Sequence, residues 1–115
     1  MAGGFYGSAL ASASTRGHKE VVHILLENGA DVNMAGGYYG SALASASADG
    51  HEGIVQILLQ NGANVNMAGG YHGSALASAW NKGHEEIVHI LLLNGADEKI
   101  GTFSDHVYLA YGPGL

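Results

Sequence analysis

The chain has 115 residues, a formal net charge of −6, no cysteine, and charged side chains at only 12% of its positions. The scarcity of Lys and Arg argues against a nucleic-acid surface, which needs clustered cations to replace phosphate counterions, and against docking on anionic lipid. The lack of cysteine excludes disulfide frameworks, thiol nucleophiles and cysteine-based zinc sites. No apolar run is long enough for a membrane span and no signal peptide is recognised, so an intracellular, cytoplasmic protein is expected.

The sequence repeats itself with a period of 33 residues. The phrase Gly-Ser-Ala-Leu-Ala-Ser-Ala occurs three times, starting at Gly7, Gly40 and Gly73. This period predicts a stacked array of supersecondary units, each of which buries its apolar face only against its neighbours. The predicted units are residues 2–34, 35–67 and 68–100, followed by a degenerate partial repeat or C-terminal cap at 101–115.

Each unit is predicted to contain two helices and a loop. In the first unit, Ser8 precedes an Ala-rich segment and is expected to cap its amino end. Gly17 suits the left-handed position that stops this short helix. A second helix begins at His18, carries a broad apolar face, and ends before Gly29. Residues 30–37 then run extended into the turn of the next unit.

The second half of each unit carries recognisable phrases. The first unit has Gly-His at 17–18, an apolar run at 21–26 and Gly-Ala-Asp-Val-Asn at 29–33. These phrases and the period resemble the ankyrin repeat, and the resemblance covers residues 2–100. It implies an all-α solenoid of three helix-turn-helix units with projecting hairpin loops and a partial fourth unit. It also implies a scaffold for protein–protein interaction.

The first half of each unit departs from that family. Ser41-Ala42-Leu43-Ala44 stands where the family has Thr-Pro-Leu-His. The Pro that pre-sets the first helical turn is therefore missing, together with the His that ties the turn. The resulting Gly-Gly-x-Tyr-Gly-x-Ala-Leu variant resembles repeats of large fungal ankyrin proteins, and its hairpin can be wound differently.

The residues that could carry chemistry favour structural roles. His18 and His23 are five apart, which does not fit the i,i+4 pairing of a zinc-binding helix. The column of His18, His51 and His84 would place rings roughly 10 Å apart, too far for ligands that sit about 2 Å from one ion. A helix-start role is predicted for these three histidines, as the resemblance implies. No nucleophile, base or phosphate-binding loop is recognised, so neither an enzyme nor a cofactor is expected.

Positions that vary between units are the candidates for recognition, because the nearly identical positions build the scaffold. At the hairpin tips, the varying residues are the aromatic positions Phe5, Tyr6, Tyr38, Tyr39, Tyr71 and His72. At the ends of the first helices, they are Arg16, Asp49, Trp80, Asn81 and Lys82. Together they predict a concave binding surface for a protein partner. The alternative for the aromatic columns is that half of the rings pack inward.

Trp80 has two interpretations. It replaces Ser14 and Ser47 of the other units, and tryptophan is enriched at binding hot spots. It could equally fill the gap against the degenerate fourth unit. For the whole chain, the alternative to partner binding is end-to-end stacking of copies, because a heterologous contact that does not close produces filaments.

Overall fold

The computed structural model describes residues 8–104. Within that range it contains six helices and no strand, as predicted. The helices are α1 (Ala9–Thr15), α2 (Lys19–Glu27), α3 (Ala42–Ala48), α4 (Glu52–Gln60), α5 (Ala75–Lys82) and α6 (Glu85–Leu93). They form three successive helix-turn-helix pairs, which confirms the all-α class. Most of the predicted fourth unit, residues 105–115, lies outside the described residues.

A serine side chain caps each first helix, as expected from the sequence. Its hydroxyl oxygen accepts a hydrogen bond from the backbone N–H three residues later, which satisfies a donor without an intrahelical partner. These bonds are 3.0–3.1 Å long and join Ser8 to Ala11, Ser41 to Ala44 and Ser74 to Ala77. The repeated Ser therefore sets where each unit's first helix begins.

The helices are arranged in two rows. The first helices α1, α3 and α5 pack side by side, and α2, α4 and α6 form the second row. The first row consists mostly of Ala and Ser, and all seven residues of α3 are buried. The second row contributes larger side chains, such as the fully buried Val55 and Leu58. The core lies between the rows, where burial of these aliphatic side chains stabilises the stack.

The histidines at the start of α4 and α6 join neighbouring pairs. His51 Nε2 lies 3.0 Å from the carbonyl oxygen of Thr15, and His84 Nε2 lies 3.0 Å from that of Ala48. Neither side chain caps its own helix. The predicted position of these histidines at the helix start is confirmed. The ring instead satisfies a carbonyl at the end of the preceding first helix, which has no intrahelical partner.

The glycine of each Gly-His pair makes room for the histidine of the next unit. Gly17 and Gly50 adopt φ values of 75° and 78°. A Cβ atom on either residue would lie 2.7–2.8 Å from Cε1 of the imidazole of His51 or His84. Glycine is therefore favoured at each position for two reasons. It adopts the left-handed backbone without strain, and it leaves the space that the ring occupies.

An asparagine side chain makes a second link between units. Asn33 Nδ2 donates to the Gly62 carbonyl over 3.1 Å, and Asn33 Oδ1 accepts from the Asn64 N–H over 2.6 Å. Asn66 makes the same two kinds of bond to the third unit. The equivalent position in the third unit is Lys99. Lysine has no acceptor, so this residue cannot repeat the pair of bonds.

The bridging histidine predicts different effects at equivalent positions. We expect His51→Ala to lower the free energy of unfolding by about 1–3 kcal/mol, because the half-buried Thr15 carbonyl loses its partner. His18→Ala removes an exposed ring and should change stability by less than about 0.5 kcal/mol. Urea denaturation of both variants checks this. Equal losses of unfolding free energy in the two variants would show that the hydrogen bond from His51 to Thr15 does not stabilise the fold.

Candidate functional site

Two projecting loops follow the second helices of the first two pairs. A backbone hydrogen bond closes each loop, from the Gly36 N–H to the Gly40 carbonyl and from the Gly69 N–H to the Gly73 carbonyl, both 3.0 Å long. The four glycines have positive φ values, which lets the chain reverse direction within four residues. The Gly-Gly-x-Tyr-Gly phrase thus produces a narrow loop that presents two adjacent aromatic residues.

The two loops touch through their backbones. The Tyr71 N–H donates to the Tyr38 carbonyl over 3.0 Å. A Cβ on Gly70 would lie 2.1 Å from the Tyr39 carbonyl carbon, so only glycine permits this approach. The hydrogen bond and the close contact fix the position of one loop tip relative to the next.

The aromatic side chains on the tips form two stacked columns. Tyr38 and Tyr71 stack with ring centroids 5.0 Å apart and planes inclined at 18°. Tyr39 and His72 stack with centroids 6.0 Å apart and planes at 14°. The first column is exposed, with 41% of Tyr38 and 67% of Tyr71 accessible, whereas the second is half-buried. Of the described rings, those of the first column therefore face solvent, and those of the second column pack inward.

Charged residues at the ends of the first helices influence the inward column. Burial raises the pKa of the Tyr39 hydroxyl, and the negative charge of Asp49 adds to that rise. Burial lowers the pKa of His72, and the positive charge of Lys82 adds to that fall. Asp49 and Lys82 occupy equivalent positions in successive units, so the electrostatic environment changes sign along the stack.

A cleft lies between the first of these loops and the first-helix row. Its volume is about 230 Å³, and its lining includes Ala11, Thr15, Tyr38, Tyr39, Ser45 and Asp49. The cleft is continuous with the exposed tyrosines because Tyr38 belongs to both. We call the exposed tips, the cleft and the charged helix ends together the loop–helix surface, consisting of Arg16, Tyr38, Tyr39, Asp49, Tyr71, His72 and Lys82.

Trp80 does not belong to this surface. Only 4% of the side chain is accessible, so the expectation of an exposed anchor is wrong. Its ring meets Phe103 edge to face with centroids 5.3 Å apart, and its Nε1 donates to the Ser104 carbonyl over 3.2 Å. The interpretation in which Trp80 fills the gap beyond the third unit agrees with these contacts. In the other units this position is a fully buried serine between packed first helices.

Asn81 also contacts the segment after the third unit. Its side-chain amide nitrogen donates to the carbonyls of Ala77 and Thr102, and its amide oxygen accepts from the Ser104 N–H. Asn81 therefore anchors that segment. Asn81 differs from its equivalents Thr15 and Ala48, but that difference alone does not distinguish anchoring from recognition. Phe5 and Tyr6, the remaining predicted site residues, lie outside the described residues.

Residues 8–104 carry no sign of a membrane span or of a metal centre. None of its helices has the length and apolar character needed to cross a bilayer. No group of three or more His, Asp or Glu side chains in that part is placed to hold a metal ion. The loop–helix surface is the candidate site because it combines exposed aromatic rings, a cleft and charged helix ends.

A family model described as ankyrin repeats (three copies) matches residues 10–101. Because the match spans most of the chain, the protein belongs to the ankyrin repeat family. Members of this family are generally protein–protein interaction modules and typically non-enzymatic scaffolds. A comparison with curated proteins finds no match.

The burial of Trp80 predicts a stability defect. Trp80→Ala should lower the free energy of unfolding by about 3–5 kcal/mol, because it removes a large buried side chain and leaves a cavity. Trp80→Phe keeps an aromatic ring against Phe103 but loses the hydrogen bond to Ser104, so a smaller loss is expected. Thermal denaturation of both variants measures the difference. An unchanged melting temperature for Trp80→Ala would contradict the anchoring role.

Proposed function

We propose that the loop–helix surface binds an exposed segment of a protein partner. The observation that carries this proposal is the stacked pair Tyr38 and Tyr71, which presents two adjoining aromatic rings to solvent. Tyrosine is enriched in protein interfaces because it combines a large apolar face with a polar hydroxyl. An intracellular location fits the lack of cysteine and remains part of the proposal.

The backbone contact between the loops supports this function. The hydrogen bond from Tyr71 to Tyr38 and the approach of Gly70 to Tyr39 hold the rings in place before a partner arrives. A prearranged surface loses little conformational entropy on binding. The ring stacking also restricts the side chains, so the tips present a fixed shape.

End-to-end stacking of copies is the second candidate function, and the first helix pair favours it. Val21 and Ile24 are 43% and 56% exposed, whereas the equivalent Ile54 and Ile57 of the second pair are 3% and 7% exposed. This apolar face matches the one that packs between successive pairs. His18, the equivalent of the bridging histidines, is also exposed.

The opposite end of the described stack is not complementary to the exposed face of the first helix pair. Trp80 and Phe103 fill the position where the other units carry a small serine. Lys99 replaces the asparagine that links one unit to the next. Head-to-tail contact between copies needs both ends, so partner binding on the loop–helix surface is the better-supported function.

A photo-crosslinking pair tests the proposed surface. A benzoylphenylalanine at position 71 should form adducts with a partner in source cells, whereas the same group at position 93 should not. Leu93 is the matched control because it is 86% exposed and ends α6 in the second row. Tyr71→Ala should then weaken binding of the captured protein by about 2 kcal/mol, with an unchanged melting temperature.

Two outcomes would contradict the proposal. Adducts at position 93 alone would place binding on the second row. The second outcome is self-association, seen as light scattering that rises with protein concentration. If Tyr71→Ala did not change that rise, stacking of copies would be favoured.

A further inference from the structure

The cleft beside Tyr38 and Tyr39 has the size of a site for a single side chain. Its volume of about 230 Å³ is below the roughly 300–1,000 Å³ that is usual for pockets holding drug-sized ligands. It lies between the exposed tyrosine column and the end of α3, so it opens within the loop–helix surface. A partner segment that contacts the tyrosines is therefore positioned to insert one side chain.

The polar lining of the cleft carries a negative charge. Asp49 follows α3 directly and is the charged residue of the lining, which also includes Thr15 and Ser45. Asp49 is half-buried, and its negative charge adds to the rise that burial causes in the pKa of Tyr39. The equivalent residue of the next unit is Lys82, so the negative charge is particular to this cleft.

The aromatic lining complements that charge. The rings of Tyr38 and Tyr39 stand at 90° to each other with centroids 4.9 Å apart. A ring face attracts a cation within about 6 Å of its centroid, and a carboxylate forms strong charge-assisted hydrogen bonds with Lys or Arg. An apolar side chain would contact the rings but desolvate Asp49 without giving it a partner. An acidic side chain would be repelled.

We infer that this cleft receives an arginine or lysine side chain from the protein partner. The inference rests on the proposed function, because it assigns a partner chemistry to one part of the loop–helix surface. The chain's net charge of −6 favours the approach of a basic segment. Lys82 lies one unit further along, roughly 10 Å at the usual helix spacing, so the same segment carries a neutral or acidic residue there.

Random linear peptides displayed on phage and selected against the full chain provide the probe. Lys or Arg should be enriched at one position of the selected peptides. Replacing that residue by methionine should weaken binding to the parent about tenfold, the loss of one strong polar contact. The same replacement should have a smaller effect on binding to Asp49→Asn, because the contact with the carboxylate is then lost and only the attraction of the tyrosine rings remains.

Glu27→Gln is the matched control variant. It removes one negative charge from an exposed position on α2, in the second row, and should retain the full affinity of the parent. If Asp49→Asn does not fold, the peptide-side replacement still decides the question. A basic residue that can be replaced by methionine without loss of affinity for the parent would overturn the inference.

The outcomes separate this inference from the proposed function. Peptides that are weakened by Tyr71→Ala but unaffected by Asp49→Asn would overturn the cation site and leave the binding surface standing. Peptides that are insensitive to both substitutions would overturn both. Peptides that lose affinity with both substitutions, but not with Glu27→Gln, would support both.

Discussion

The stack depends on the fit of one imidazole ring over one glycine. At each of the two junctions between units, the later unit contributes His and the earlier unit contributes Gly, as in His51 over Gly17 and His84 over Gly50. The ring bonds to a carbonyl at the end of the preceding first helix, which fixes the separation and the rotation of neighbouring pairs together. Because the contact joins different units, the Gly-His phrase has structural meaning only in an array.

The arrangement of the loops follows from the same repeat. Units held at a constant offset bring the glycines of one loop against the backbone of the next, as at Gly70 and Tyr39. Residues that differ between the units then lie side by side on a regular support. The changes from Tyr39 to His72 and from Asp49 to Lys82 are such differences, and both lie on the loop–helix surface. A rigid support with varied loop tips is suited to binding because little conformational entropy is lost when a partner binds.

The sequence predicted the architecture closely because each local signal agreed with the period. Ser caps, Gly stops and apolar second helices all indicated the same two-helix unit, and agreement between levels is typical of a well-specified fold. The sequence was less informative about side chains that contact a neighbouring unit. The role of His51 could not be found within one unit, since its partner Thr15 lies 36 residues away. Trp80 was ambiguous because size and variation are shared by binding anchors and by core residues. Its burial depends on Phe103, which has no counterpart among the repeated phrases.

The most direct test of this account compares Gly50→Ala with Gly83→Ala. Both glycines have a φ of 78°, so both variants incur the same left-handed strain of about 1–2 kcal/mol. His84 covers Gly50, whereas no atom lies within 4 Å of a Cβ on Gly83 among the described residues. We predict that Gly50→Ala lowers the free energy of unfolding by at least about 1 kcal/mol more, and that this excess disappears in a His84→Ala background. Equal losses for the two glycine variants would contradict the claim that the ring over the glycine holds the stack together.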